Sequence, residues 1–347
     1  FTLAVDGEAT IANAAPYALQ AGVRARPLAE GDAPRWAAVA RAGGTLAEIE
    51  LSATLRGRPL PGRDAPAVDL RALLRPQDAW PLAALDATTQ SLDLGALAAK
   101  APTTRLDGHA VLNGGGQTPL VVDISLHNTA PGPWNAARLP FSRLLVQLRG
   151  SLAEPDLVEM SQFDLQLADA TRPAGRVQGT AVWKGYDVAL EMKLSDVTPQ
   201  RLDGRAAAMK LSGPLAASIT GVPALTPQKD PAPAPGIEWT LDLQGQLDAA
   251  PLPVRVAVEG SANDHELKIK SARAQSGSAV AEFTATVVQA PRGDWQIVTE
   301  GLLRDFDPLP WWPGDAGSAW RRGPHRANGE WKFDVRLPAD ADKLPPL

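Results

Sequence analysis

The sequence contains no cysteine. That excludes disulfides, thiol catalysis and cysteine-based metal sites together. Only four histidines occur, His109, His127, His265 and His325, and no two stand at the close spacing by which histidines share a metal. No apolar run approaches the roughly 18 residues of a membrane-spanning helix, and no secretory leader is recognisable. The net charge is −5, and no basic stretch is dense enough to offset nucleic-acid phosphates. Motifs for other chemistry are incomplete. Ser276-Gly277-Ser278 lacks the frame of a nucleophile elbow. The NGGG at 113–116 lacks the lysine and following helix of a phosphate loop. Asp264-His265-Glu266 reads as a polar hairpin tip, and Asp305 and Asp307 read as hydrated or capping groups in a connector. No catalytic residue, cofactor or metal is expected, and the chain is read as a non-enzyme.

Turn formers and alternation are abundant instead. Gly (30) and Pro (32) are enriched without a collagen-like period. Apolar and polar residues alternate with period two, the mark of strands with one apolar face. Residues 186–194 place Tyr186, Val188, Leu190, Met192 and Leu194 on one face and Glu191 on the other. The same holds for 237–247 with Leu241 and Leu243, for 252–258 with Val254, Val256 and Val258, and for 331–337 with Phe333 and Val335. Shorter patterns lie at 120–126, 144–148, 163–167, 267–269 (Leu267, Ile269) and 281–287 (Phe283). Strands buried on both faces would be continuously apolar; these are not. The expected fold is therefore all-β. Short helices are expected at 31–42, with Asp32 as N-cap and Pro34 in the first turn, at 93–100 behind Asp93, and for one turn at 198–201. The proline-rich 222–235 reads as an extended insertion loop or hinge.

A unit recurs. Arg-Leu-Asp-Gly occurs at 105–108 and 201–204, and Arg-Ala-Asn-Gly at 326–329. Each is read as a hairpin turn, because both central residues tolerate positive φ. Each follows a strand, a turn such as Lys184-Gly185, a second strand and an Asp-hydrophobic connector. Such repetition suggests a sheet that grows along one axis. Trp295 and Trp331 are placed at strand starts, bracing the sheet, while Trp311 and Trp312, between Pro310 and Pro313, cap an edge. The chain opens inside a strand and closes on KLPPL, so it reads as a single extended β-repeat segment, 1–347, of a longer protein.

The pieces DAWPLAALDATTQSLDL (78–94), LSDVTPQRLDG (194–204) and LLRDFDPLPWWPG (302–314) resemble the TamB branch of the AsmA-like envelope proteins. This family supplies the inner-membrane subunit of the translocation and assembly module. The resemblance implies an elongated, twisted sheet curled into an open half-pipe with an apolar interior. It implies a periplasmic place in a protein anchored to the inner membrane of a Gram-negative bacterium. It implies phospholipid acyl chains as cargo between inner and outer membranes, or help in outer-membrane protein assembly and secretion, beside an outer-membrane barrel of the TamA type. The groove lining would then comprise Tyr186, Val188, Leu190, Met192, Leu241, Leu243, Val254, Val256, Val258, Leu267, Ile269, Phe283, Phe333 and Val335. Two other readings stand beside it. One is a structural or adhesive β-repeat with a closed solenoid or sandwich core. The other is an enzyme on a β-scaffold, which lacks a candidate constellation.

Overall fold

The computed structural model describes residues 3–28, 36–58, 64–78, 80–98, 101–116, 118–170, 172–224, 226, 230–248, 252–290, 293–311, 322–323 and 325–337. The chain is nearly all β, with nineteen strands among the described residues and two α-helices of four residues each. It divides into two compact units, the first dominated by residues 1–185 and the second by 186–347.

The first unit carries β1 (Leu3–Ile11), β2 (Ala18–Pro27), β3 (Trp36–Thr45), β4 (Ile49–Gly57), β5 (Ala67–Leu74), β6 (Leu82–Leu92), β7 (Leu106–Asn113), β8 (Leu120–Asn128), β9 (Phe141–Ser151), β10 (Glu154–Asp169) and β11 (Arg172–Lys184). From β1 to β11 each strand pairs antiparallel with the next. The second unit carries β12 (Asp187–Val197), β13 (Met209–Thr220), β14 (Gly236–Leu247), β15 (Pro253–Asn263), β16 (Glu266–Ser276), β17 (Ala279–Gln289), β18 (Trp295–Phe306) and β19 (Ala327–Leu337). These too form an antiparallel meander. Neither run is closed: among the described residues β1 pairs only with β2, and β19 only with β18.

Two of the three expected helices form. Asp93 caps α1 (Leu94–Leu97) by accepting from Gly95 N–H, and α2 spans Pro199–Leu202. The third does not: residues 36–42 belong to β3, while Asp32 and Pro34 lie outside the described residues. The alanines there are good helix formers, yet pairing with β2 and β4 outweighs that weak preference. The described residues of 222–235 are irregular, as expected.

The repeated turn is a different device. Asp107-Gly108 and Asn328-Gly329 lie inside β7 and β19, not in hairpins. Each sits opposite a β-bulge in the preceding strand. Thr89 pairs with Gly108 and Leu92 with Leu106, so β6 holds one extra residue. Leu303 pairs with Gly329 and Phe306 with Ala327, giving β18 the same excess. The bulged residues Ser91 and Asp305 take left-handed φ of 46° and 48°. Their N–H groups donate to Asp107 Oδ1 and Asn328 Oδ1, both at 2.8 Å. A third copy exists, but not at Asp203-Gly204, which lies outside the strands. It is Ser212-Gly213: Asp196 has φ 52°, its N–H donates to Ser212 Oγ at 2.8 Å, and β12 bulges between Leu194 and Val197. A short polar side chain in the partner strand thus takes the one amide that the bulge removes from the ladder.

Loss of that acceptor should cost about 1 kcal/mol at each site. Asn328→Ala and Asp107→Ala should each lower the urea midpoint, measured by far-UV circular dichroism, and Asn328→Asp should retain it.

Candidate functional site: one apolar sheet face

The registers assign every strand residue to one of two faces. In the second unit one face collects Val188, Leu190, Met192 and Leu194 from β12, then Leu215 and Ile219 from β13, and Ile237, Trp239, Leu241 and Leu243 from β14. It continues through Val254, Val256 and Val258 to Leu267 and Ile269. Phe283 and Val287, then Ile297 and Leu303, then Trp331, Phe333 and Val335 complete it. Thirteen of the fourteen sequence-derived positions therefore share this face. Tyr186 does not join them in a strand: it occupies the turn before β12, and its hydroxyl donates to Asp230 O at 2.9 Å.

The first unit has a face of the same kind, absent from the sequence-derived positions. Val23, Leu51, Leu55, Leu70 and Leu85 belong to it, as do Ile124, Val146 and Phe163. In its β1–β3 portion alanine and glycine stand where β8–β10 carry leucine, isoleucine and phenylalanine, so the alternation there is muted in sequence. The two threonines on these faces do not leave a polar group free. Thr299 Oγ1 donates to Thr284 O and Thr89 Oγ1 to Ala67 O.

Most residues of both faces are half-buried rather than fully buried. The clusters of fully buried side chains gather toward strand ends, while single residues such as Asp164 in β10 and Ala272 in β16 are buried in mid-strand. In the first unit Trp80, Leu120, Val122 and Val158 form one cluster, and Trp80 Nε1 donates to Pro155 O at 3.0 Å. In the second, Met209, Leu211, Leu243, Leu247 and Val254 form another, covered by Trp311, whose ring stacks on Phe306 at 5.8 Å. Leu243 and Val254 are accordingly packed core, whereas Leu267, Phe283, Phe333 and Val335 are exposed. Trp311 packs against this cluster on the sheet face, where an edge cap was expected, and Trp312 lies outside the described residues.

Other tryptophans lie across the sheet. Trp239 is paired with Gly260 and Trp331 with Gly301. A Cβ at either glycine would fall 2.3 or 2.4 Å from the indole. Trp331 is thus in mid-strand rather than at a strand start, while Trp295 does open β18. A flat indole over glycine supplies apolar area without standing up from the face.

The opposite face is mostly polar and held by diagonal ion pairs. Arg255 grips Asp242 through two bonds of 2.9 and 2.6 Å, and Lys270 reaches Glu238 and Glu259. Arg176 grips Asp164 at 2.7 and 2.6 Å. Hydrogen bonds from Arg176 hold the Asp164 carboxyl below its ordinary value of 3.8, against the opposing pull of burial, and Arg255 does the same for Asp242.

The weaker candidates for chemistry are accounted for locally. Gly116 N–H already donates to Asp78 Oδ2 at 2.7 Å, so the glycine loop at 113–116 holds its own carboxylate. Asn263 Oδ1 accepts from His265 and Glu266 N–H at the tip between β15 and β16. Asp307 Oδ1 accepts from Leu309 N–H. Among the described residues no three His, Asp or Glu side chains gather as a metal site, and no helix is long and apolar enough to cross a membrane.

A depressed carboxyl contributes stability that is present above its unfolded value and is lost as pH falls through the folded one. The first unit should therefore lose stability below pH 3.8, and Asp164→Asn should flatten that slope in acid denaturation followed by tryptophan fluorescence. The Asp242–Arg255 pair, more exposed on both sides, should contribute less and vanish in high salt. No protein-family model matches the sequence, and no curated protein or solved structure matches it.

Proposed function

We propose that this chain is a segment of a TamB-like envelope protein whose apolar sheet face carries phospholipid acyl chains through the periplasm, between the inner and outer membranes. The observation that carries the reading is the continuity of that face. In each unit apolar side chains follow from strand to strand, half-buried, without a covering layer among the described residues. An acyl chain leaving a membrane forfeits roughly 0.8 kcal/mol per methylene, about 13 kcal/mol for sixteen carbons. A uniform apolar strip offsets this at every step, so a tail can slide without meeting a deep trap. Indoles laid flat on Gly260 and Gly301 keep the strip level. The ion-paired face stays in water. By the same family resemblance, the protein is anchored in the inner membrane and works with an outer-membrane barrel of the TamA type, and assistance to outer-membrane protein assembly belongs to the same proposal. It assigns no chemical step and no cofactor to this chain.

A structural repeat with a closed core is the second reading, and the packed clusters around Trp80 and Leu243 favour it at the strand ends. The two readings separate in cells. A photoreactive residue at Leu190, Val258 or Phe283 of the whole protein should yield phospholipid adducts. Glu191 and Arg255, on the polar face, should yield none. Adducts absent from all three apolar positions would leave the closed repeat. Substitution discriminates further. Phe283→Asp, at an exposed apolar position, should keep the fold and abolish the adducts, whereas Val256→Asp, against the packed cluster, should destabilise the second unit by several kcal/mol.

A further inference from the structure

The polar face of the first unit carries a groove of about 950 Å³ that crosses β1 to β6. The registers build it from two neighbouring rows that run across the strands. One row is Glu8, Gly22, Arg41, Ser52, Arg71 and Asp86. The other includes Gln20, Gly43, Glu50 and Ala84. Folding does not account for two features of these rows. The first is the pair of glycines. A Cβ would meet nothing within 4 Å at Gly22, and only Leu19 O, at 4.0 Å, at Gly43. Glycine weakens a strand interior, so the sheet would gain from larger residues there. Their effect is to keep the groove floor clear. The second is the pair of arginines. Arg41 and Arg71 both stand opposite Ser52, and neither forms an ion pair among the described residues. Arg71 leaves even Asp86, directly opposed to it, ungripped. Arginines elsewhere on the polar faces do take a carboxylate: Arg56 binds Asp69 at 2.6 Å, and Arg273 binds Glu282 directly opposite.

We infer that this groove binds an extended peptide segment of mixed charge and seats an acidic residue of it between Arg41 and Arg71. Alternate strands lie about 10 Å apart, so both guanidiniums can close on one carboxylate held over the Ser52 hydroxyl. Charge alternates in sign along the groove, through Glu8, Arg41, Glu50, Arg71 and Asp86. Basic residues on either side of the bound acid would meet the three carboxylates. This order selects against other chains. A nucleic acid, negative throughout, would set phosphates against Glu8, Glu50 and Asp86, and no aromatic ring lines the groove to stack a base. A neutral glycan would cover both guanidiniums without compensating them. Six strands span about 24 Å, the length of roughly seven extended residues. The bare glycines let a peptide backbone lie close on the sheet. The groove uses the face opposite the apolar one, so the inference stands apart from any acyl chain there.

Fluorescence anisotropy with the whole 347-residue chain tests this. The probe is a dye-labelled peptide Ser-Lys-Ser-Glu-Ser-Lys-Ser, whose three charges share one side when it is extended. It should bind saturably and more weakly as salt rises. Versions with three lysines or three glutamates should bind roughly tenfold more weakly. Arg41→Gln together with Arg71→Gln should weaken the mixed peptide by roughly tenfold or more. The melt followed by circular dichroism should not change, since neither side chain has an ion-pair partner to lose. Gly22→Leu should melt at the same temperature or higher and still block binding, because the leucine fills the floor. No binding of the mixed peptide overturns the inference, as does equal binding of all three peptides. Binding untouched by the double arginine change, or by a folded Gly22→Leu chain, overturns it as well. If Gly22→Leu does not fold, the arginine variant decides alone.

Discussion

The structure depends on cross-strand register. With a side-chain period of two, one residue of slip would move a whole strand's apolar set to the wrong face. Val188, Leu190 and Met192 share a face with Trp239, Val256 and Phe333 only because every intervening pairing preserves phase. The bulges are where that phase is adjusted. At Leu194/Val197 and Leu303/Phe306 three steps along one strand match two along its partner, and both flanking apolar residues still point the same way. The left-handed residue absorbs the odd step, and the Ser212 or Asn328 side chain takes its amide.

Side-chain size decided how much of this could be read beforehand. Where alternation sets leucine, valine or methionine against charge, as in β12, β14 and β15, strand and face are legible from residue order. Where the face is built from Ala38, Ala40, Ala42 and Gly44, inward and outward residues differ little in polarity. There a strand resembles an alanine-rich helix. Phase shifts hide more. A reader following period two through Leu194 loses the face at Asp196, because the bulge breaks the count. Asp107-Gly108 misleads for a related reason: a dipeptide suited to positive φ also suits the strand opposite a bulge, and local chemistry does not distinguish them.

Within the candidate site, the residues on the face were legible but their covering was not. Leu243 and Phe283 occupy equivalent places in the alternation, yet one is 5% exposed and the other 40%. Leu243 sits in a cluster with Met209, Leu211, Leu247 and Val254, against which Trp311, far along the chain, also packs, and Phe283 belongs to no such cluster. Likewise the sequence places Trp331 as a brace at a strand start, and only the registers set it over Gly301 in mid-strand, as they set Trp239 over Gly260. Burial is a long-range property, and a strand's own residues report only which way they point.

The bulge acceptors have a bearing on how such a chain can change. The donor and acceptor of the shared hydrogen bond are 16 residues apart in two copies and 23 in the third. The extra length lies wholly in the connector, since the bonded ends have the same geometry in all three. Each bulge therefore works as a clasp that fixes where the next strand begins, whatever passes between. Connectors at these places can gain, lose or exchange residues over generations without disturbing the sheet, so new surface elements can arise there while the faces stay in phase.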